Sequence, residues 1–130
     1  MLLQHGYGVC GRIGPLDSIL IIRPEWLNRI LSGEKTWEIR SEGCQSKIGR
    51  WIWLSASESS TVTGRAQVVD SRHLSAEEWE ATRLQHCVPG PRFYGDRTHA
   101  WCLQGVRTTA APLPFERKVG AVVWQTGPGP

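Results

Sequence analysis

Residues 18–40 read SILIIRPEWLNRILSGEKTWEIR, and this stretch decides the fold. Ser18 to Arg23 is a β-branched apolar run bounded by turn residues, the pattern of a buried strand. Pro24 follows at the first position of a helix, where its missing N–H costs nothing. Trp26, Leu27, Ile30 and Leu31 recur at helical spacing, and Gly33 suits a left-handed C-terminal cap. Thr36 to Arg40 then alternates, with Trp37 and Ile39 on one face and Thr36, Glu38 and Arg40 on the other. The unit is strand, short helix, glycine stop, strand.

Downstream, Arg50 to Ser55 (RWIWLS) sets Trp51 and Trp53 on one face and Ile52 and Leu54 on the opposite one, a strand apolar on both sides. Thr61 to Ser71 reads as a long strand in which Gly64 marks a bulge or a close backbone approach. Ser75 with Glu78 is a capping-box signature, and Leu74, Trp79 and Leu84 predict a helix from Ala76 to about His86, ended by Pro89, Gly90 and Pro91. Thr98 to Thr109 and Val119 to Gln125 are both β-rich. Five or six strands with two helices inserted at loops predict an α+β domain, a small mixed β-barrel or half-open sheet.

Outside this core, Met1 to Pro15 is glycine-rich with little periodicity and is expected to be a flexible arm; Gly127 to Pro130 is expected to be a flexible tail. Gly6, Gly8 and Gly11 match a dinucleotide-loop spacing without the preceding strand that such a loop needs. The folded domain is therefore expected over residues 16–126 of the 130. That length sustains one hydrophobic core, and no apolar run is long enough to cross a bilayer. Net charge is +3, with no basic tail or acidic block, but the basic set is 12 Arg to 3 Lys. Arg binds phosphate bidentately and stacks on bases, which tilts the reading toward nucleic acid or nucleotides. Cys10, Cys44, Cys87 and Cys102 show no paired spacing, and no export leader is apparent. Reduced thiols and a cytoplasmic location are expected.

The densest chemical stretch is Gly33 to Arg40. Solvated polar side chains account for it in the plain reading. In the functional one, Thr36, Glu38 and Arg40 line a cavity with Lys35 at its mouth, so that a positive rim and an internal carboxylate hold a polar base or nucleotide. Seven tryptophans are a heavy load, and most are expected in the core. Trp53 or Trp101 is the candidate to stack a base. His73, His86 and His99 lack metal-ligand spacing with another His or Cys; His99, at the start of a strand, is the candidate for a role. No metal, cofactor, flavin or nicotinamide site is expected.

The run from Ile22 to Arg40 resembles the opening of an ASCH domain, in the PUA-like superfamily. Its G-x-K-x-x-E-x-R pattern is met by Gly33, Lys35, Glu38 and Arg40, a later strand ends in hydroxyl residues at Ser55 or Ser57, and Thr98 to Leu103 and Val119 to Trp124 look like closing strands. The resemblance spans about Ser18 to Gln125. It implies a PUA-like β-barrel with capping helices and a cleft over the barrel lined by the Lys, Glu and Arg. It also implies RNA, or a modified nucleoside or nucleotide, as partner. Some members of the family are enzymes, including an amidohydrolase acting on acetylated cytidine and a ribonuclease. For the amidohydrolase the resemblance implies Lys, Thr and Glu acting together; Lys35 matches the lysine, whereas Glu38 stands where the threonine is expected.

Two functions follow. In the first, the domain is an RNA- or nucleotide-binding module in which Lys35 and Arg40 meet phosphate or carbonyl oxygens, Glu38 accepts from an exocyclic amine and a Trp stacks on the base. In the alternative, it is a hydrolase of an acylated nucleoside such as acetylcytidine, or a ribonuclease, with Lys35 and Glu38 catalytic. An opposite charge beside Lys35 favours its ionised form, which positions a ligand better than it attacks one. No pattern in the sequence sets an oligomeric state.

Overall fold

A computed structural model describes residues 11–118 and 123–126. Most of the expected arm, the tail Gly127 to Pro130, and residues 119–122 of the last expected strand lie outside these. The domain is held already at Ile13, which packs against Ile19, Trp53, Val62 and Phe115, and at Gly14, whose N–H donates to Asp17 at 2.7 Å.

Among the described residues six strands form one sheet in the order β2-β5-β4-β3-β1-β6, curled into a half-barrel. They are β1 (Ser18–Ile22), β2 (Trp37–Arg40), β3 (Trp51–Ala56), β4 (Thr61–His73), β5 (His99–Pro114) and β6 (Trp124–Thr126). Among the described strands only β1 and β3 pair in parallel; the helix α1 (Pro24–Leu31) lies in the crossover between them. The strand β1 is buried along its whole length, which is why it is apolar without alternation.

Local chemistry accounts for the helices. Pro24 opens α1, and Gly33 closes it at φ +87°, with the Ser32 N–H on the Asn28 carbonyl. Leu27 and Ile30 face the main core beside Leu20, Ile22, Ile52, Leu54, Ala66 and Val68. The second helical segment begins with the expected capping box between Ser75 and Glu78. It is not one helix, however: α2 (Ala76–Ala81) and α3 (Arg83–His86) are separated at Thr82. The Thr82 hydroxyl takes the Glu78 carbonyl at 2.7 Å, competing with the backbone for the acceptor that would have continued α2.

Bulges curl the sheet. Between the pairs Arg65↔Arg107 and Gln67↔Gln104, β5 carries one more residue than β4, and Gly105 in that stretch has φ +66°. Gly64 is a point of close approach. A Cβ there would lie 2.9 Å from the Arg107 carbonyl oxygen and 2.5 Å from Leu31 Cδ2. Leu31 could rotate away, but the β5 backbone is held in the ladder. Gly64→Ala is expected to lower stability by about 1–3 kcal/mol. An unchanged urea midpoint would show that β5 can give way.

Of the seven tryptophans, Trp53, Trp79 and Trp101 are buried, Trp26, Trp37 and Trp124 are half-buried, and Trp51 is exposed. Three lie within the core and Trp26, Trp37 and Trp124 pack against it, as expected for most of them; Trp26 and Trp124 also border the cleft described below, and Trp51 stands on the outer face.

Candidate functional site

A cleft of about 670 Å³ opens at the ends of β1 and β2, beside the start of α1. Its floor comes from the turn after α1 and from β2. Alternation along β2 puts Glu38 and Arg40 on one face. Glu38 is only 4% exposed. Both Arg40 Nε and Arg40 Nη2 lie 2.8 Å from Glu38 Oε2, and Nη2 also donates to the Ile21 carbonyl at 2.8 Å. The guanidinium therefore cannot turn toward a ligand without breaking its contacts to Glu38 and the Ile21 carbonyl.

Lys35 is not at the mouth, as the sequence led us to expect, but inside, 1% exposed. Gly33 turns the chain back so that the Lys35 N–H meets the Arg29 carbonyl at 3.0 Å and its side chain points under α1. Nζ donates to the His86 carbonyl at 2.5 Å, lies 3.9 Å from Glu38 Oε1 and sits 5.0 Å from the centre of the Trp26 ring. Burial lowers its pKa from 10.5 to about 8, against the smaller opposing pull of Glu38. Desolvation outweighs the carboxylate's pull, yet a pKa above neutrality still leaves Lys35 mostly the ammonium, in line with the charged form expected beside Glu38.

The acceptor on His86 is itself fixed. The His86 ring is fully buried and stacks on Trp79 at 3.8 Å, and the Val88 N–H donates to its Nδ1 at 2.9 Å. That bond requires Nδ1 unprotonated, so Nε2 carries the proton and donates to the Trp79 carbonyl at 2.9 Å. Burial lowers the pKa of this imidazole and keeps it neutral.

The walls are aromatic. Trp101 and Trp124 stack with ring centres 5.4 Å apart; Arg40 lies over Trp101 at 5.4 Å and Lys47 over Trp124 at 4.9 Å. Trp26 also lines the cleft, as do Phe93 and Tyr94 from the segment before β5, with Phe93 66% exposed. Arg23, exposed at the mouth, has no side-chain partner among the described residues.

Of the nine residues expected at a ligand site, the structure gathers Lys35, Glu38, Arg40, Ser57 and Trp101 around this cleft. It leaves four elsewhere. Thr36 is exposed and precedes β2, its backbone tied to Gln85 and Leu103. Ser55 is buried with its hydroxyl on the Thr61 carbonyl at 2.7 Å, so Ser57 is the hydroxyl at the cleft. Trp53 lies on the outer face of the sheet, its Nε1 donating to Asp17 at 2.9 Å. His99 turns its ring against His73, 5.3 Å away, and bonds the Arg97 carbonyl at 2.9 Å.

Trp26, Phe93, Tyr94 and Trp124 were not singled out from the sequence. Trp26 was absorbed into the helical periodicity of α1 and Trp124 into a closing strand; adjacent aromatics in a Pro-rich loop at Phe93 and Tyr94 were the one available signal. Among the described residues no cluster of three or more His, Cys, Asp or Glu is placed to hold a metal ion, and no helix is long and apolar enough to cross a membrane. Cys44, Cys87 and Cys102 are free thiols.

No curated protein sequence matches the chain. Among solved structures, the crystal structure of ASCH from Zymomonas mobilis is similar, with a TM-score of 0.65 at 18% identity over 78% of this chain and 75% of that one. A tyrosine-to-phenylalanine variant of that protein gives 0.65 over 76% of each chain, again at 18% identity. A serine-to-alanine variant gives 0.64 at 18%, over 77% and 75%. At such identity the likeness speaks for the fold. The sequence profile of the ASCH domain matches residues 20–118. With the curled half-barrel in agreement, the chain belongs to the ASCH domain family and has its PUA-like α+β fold.

Proposed function

We propose that the cleft binds one nucleotide of an RNA, or a free nucleotide. The carrying observation is the floor: a buried carboxylate held rigidly by Arg40, beside a buried lysine, under aromatic walls. A carboxylate so placed accepts from an exocyclic amine, and Lys35 donates to a ring carbonyl or imine nitrogen at no cost of rearrangement. Trp101 has Trp124 against it and Arg40 over it, so the stacking surface for a base falls to Trp26 or to Phe93 and Tyr94 at the rim. Because Lys35 is buried and Arg40 is tied to Glu38 and the Ile21 carbonyl, phosphate is left to Arg23 at the mouth. The association of ASCH domains with RNA supports the same reading.

Fluorescence anisotropy with a labelled single-stranded RNA tests it. Affinity is expected to fall as salt rises. Glu38→Gln, which keeps the shape and removes the charge, is expected to weaken binding about ten- to hundredfold, the loss of a charge-assisted hydrogen bond. A flat titration at low salt sinks the reading.

One observation favours hydrolysis as a second reading. With its pKa near 8, about a tenth of Lys35 is the free amine at pH 7, next to a carboxylate able to relay a proton. Mass spectrometry of acetylcytidine and short RNAs incubated with wild type and Lys35→Met decides between them. Product from wild type alone makes the domain an enzyme; no product from either leaves a binding module.

A further inference from the structure

On the face of the sheet opposite the main core, β3, β4 and β5 bring Trp53, Arg65 and Arg107 into one row across the strands, with Trp51, Gln67 and Gln104 in the next. Residues directly paired across strands share a face. The Arg65 guanidinium lies 4.6 Å from the centre of the Trp51 ring and 5.7 Å from that of Trp53. It has no hydrogen-bond or ion-pair partner among the described residues. Trp51 is 46% exposed although it is an indole in a strand paired by β4.

Its position is built rather than incidental. A Cβ on Gly105 would lie 2.9 Å from Trp51 Cη2, so the indole reaches across β4 to rest on the one residue of the β5 bulge that has no side chain. The hollow beside it is bounded by Asp17, Ile52, Trp51, Trp53 and Arg65. Asp17, the acidic member, is occupied: its Oδ2 accepts from Trp53 Nε1 at 2.9 Å and from the Gly14 N–H at 2.7 Å. The face therefore offers an indole, an uncompensated guanidinium and a second arginine directly across the strand pair from it.

We propose that this outer face, around Trp51 and Arg65, is a second contact surface for single-stranded RNA, with a base stacked on the Trp51 indole and phosphate held by Arg65. An acidic protein segment would satisfy the charge but has no use for a flat indole beside it; a duplex hides its base faces. Only a single strand uses both. The surface is separate from the cleft, since Trp101 at the cleft points to the opposite face, among the core side chains of β3 and β4. It does not depend on what the cleft binds.

Anisotropy with a fluorescein-labelled single-stranded RNA of about twenty nucleotides, measured from low to moderate salt on the full chain, tests this. Arg65→Gln is expected to weaken binding and to reduce the salt slope by about one. Trp51→Leu keeps an apolar cover over Gly105 while removing the π face. It is expected to weaken binding about five- to hundredfold with the slope unchanged. Near-UV circular dichroism confirms that each variant is folded; if Arg65→Gln is not, Arg65→Lys keeps the charge and is expected to lose affinity but not slope. Wild-type affinity and slope in both variants overturn the proposal. So does equal binding of polyglutamate with the same dependence on Trp51 and Arg65, which would assign the face to an acidic protein segment. Glu38→Gln, run alongside, separates the two surfaces: loss there with none in the outer-face variants retains the cleft and discards the outer face.

Discussion

Glu38→Ala is expected to destabilise the fold by about 3–5 kcal/mol, the largest effect of any single change at the cleft. An exposed ion pair is worth at most about 1 kcal/mol, because water compensates each partner when the other is removed. That compensation is missing here. Arg40 is pinned to the Ile21 carbonyl and packed over Trp101, and Lys35 is bonded to the His86 carbonyl with its charge out of solvent. Without the carboxylate, two cations remain near one another in a place that neither can leave. For a domain of ordinary stability this is a large share of the total. Urea unfolding of wild type, Glu38→Ala and Glu38→Gln measures it. The amide keeps an acceptor for Arg40 and should lose less. Combining Glu38→Ala with Lys35→Met should recover part of the loss by removing one stranded charge. A cost under about 1 kcal/mol for the alanine would mean that water enters the floor of the cleft, and the account of a dry, rigid carboxylate would fall.

The second expected result concerns pH. The Lys35 pKa in the folded protein is about 8, against 10.5 for an unburied lysine. Between these values the unfolded chain binds a proton at this residue that the folded chain does not. Stability referred to Lys35 is therefore fully present above pH 10.5 and is lost as pH falls from 10.5 through 8. The integrated change is up to about 3 kcal/mol. Other groups titrate in the same window. Burial pushes the Cys102 thiol up to about 11, and a raised thiol pKa makes stability fall as pH rises. The difference between wild type and Lys35→Met isolates the lysine: it should grow in favour of wild type from pH 8 to 10. A difference that stays level would mean that Lys35 keeps an ordinary pKa, and with it the argument for a reactive amine would go.

Reading the sequence worked where the determinants were close in the chain. The strand at Ser18 to Ile22, the helix opened by Pro24 and stopped at Gly33, and the capping box at Ser75 and Glu78 are local patterns, and each element stands within a residue or two of its expected start. Gly64 was marked as a bulge or a close approach, and both are present. The helix expected from Ala76 to His86 failed at Thr82, because its periodicity carries no record of which acceptor a threonine hydroxyl takes.

The site divides along the same line. Lys35, Glu38 and Arg40 could be grouped from sequence alone, since a turn and strand alternation place Glu38 and Arg40 on one face with Lys35 just before them. Ser55 against Ser57, and Trp53 against Trp101, could not be resolved, because strand parity and closure of the sheet decide which side chain looks inward.

By itself, then, the sequence determined the element order, the family resemblance and the charged trio, all products of spacing within some twenty residues. Tertiary structure alone decided that Lys35 is buried. Its acceptor, the His86 carbonyl, arrives from 51 positions along the chain, and the Trp26 and Trp124 walls reach one cleft from α1 and from β6, which pairs with β1. It also decided that Arg65 lies between two indoles on the outer face. Desolvation and stacking depend on what surrounds a group in space, and that is set by chain closure rather than by periodicity.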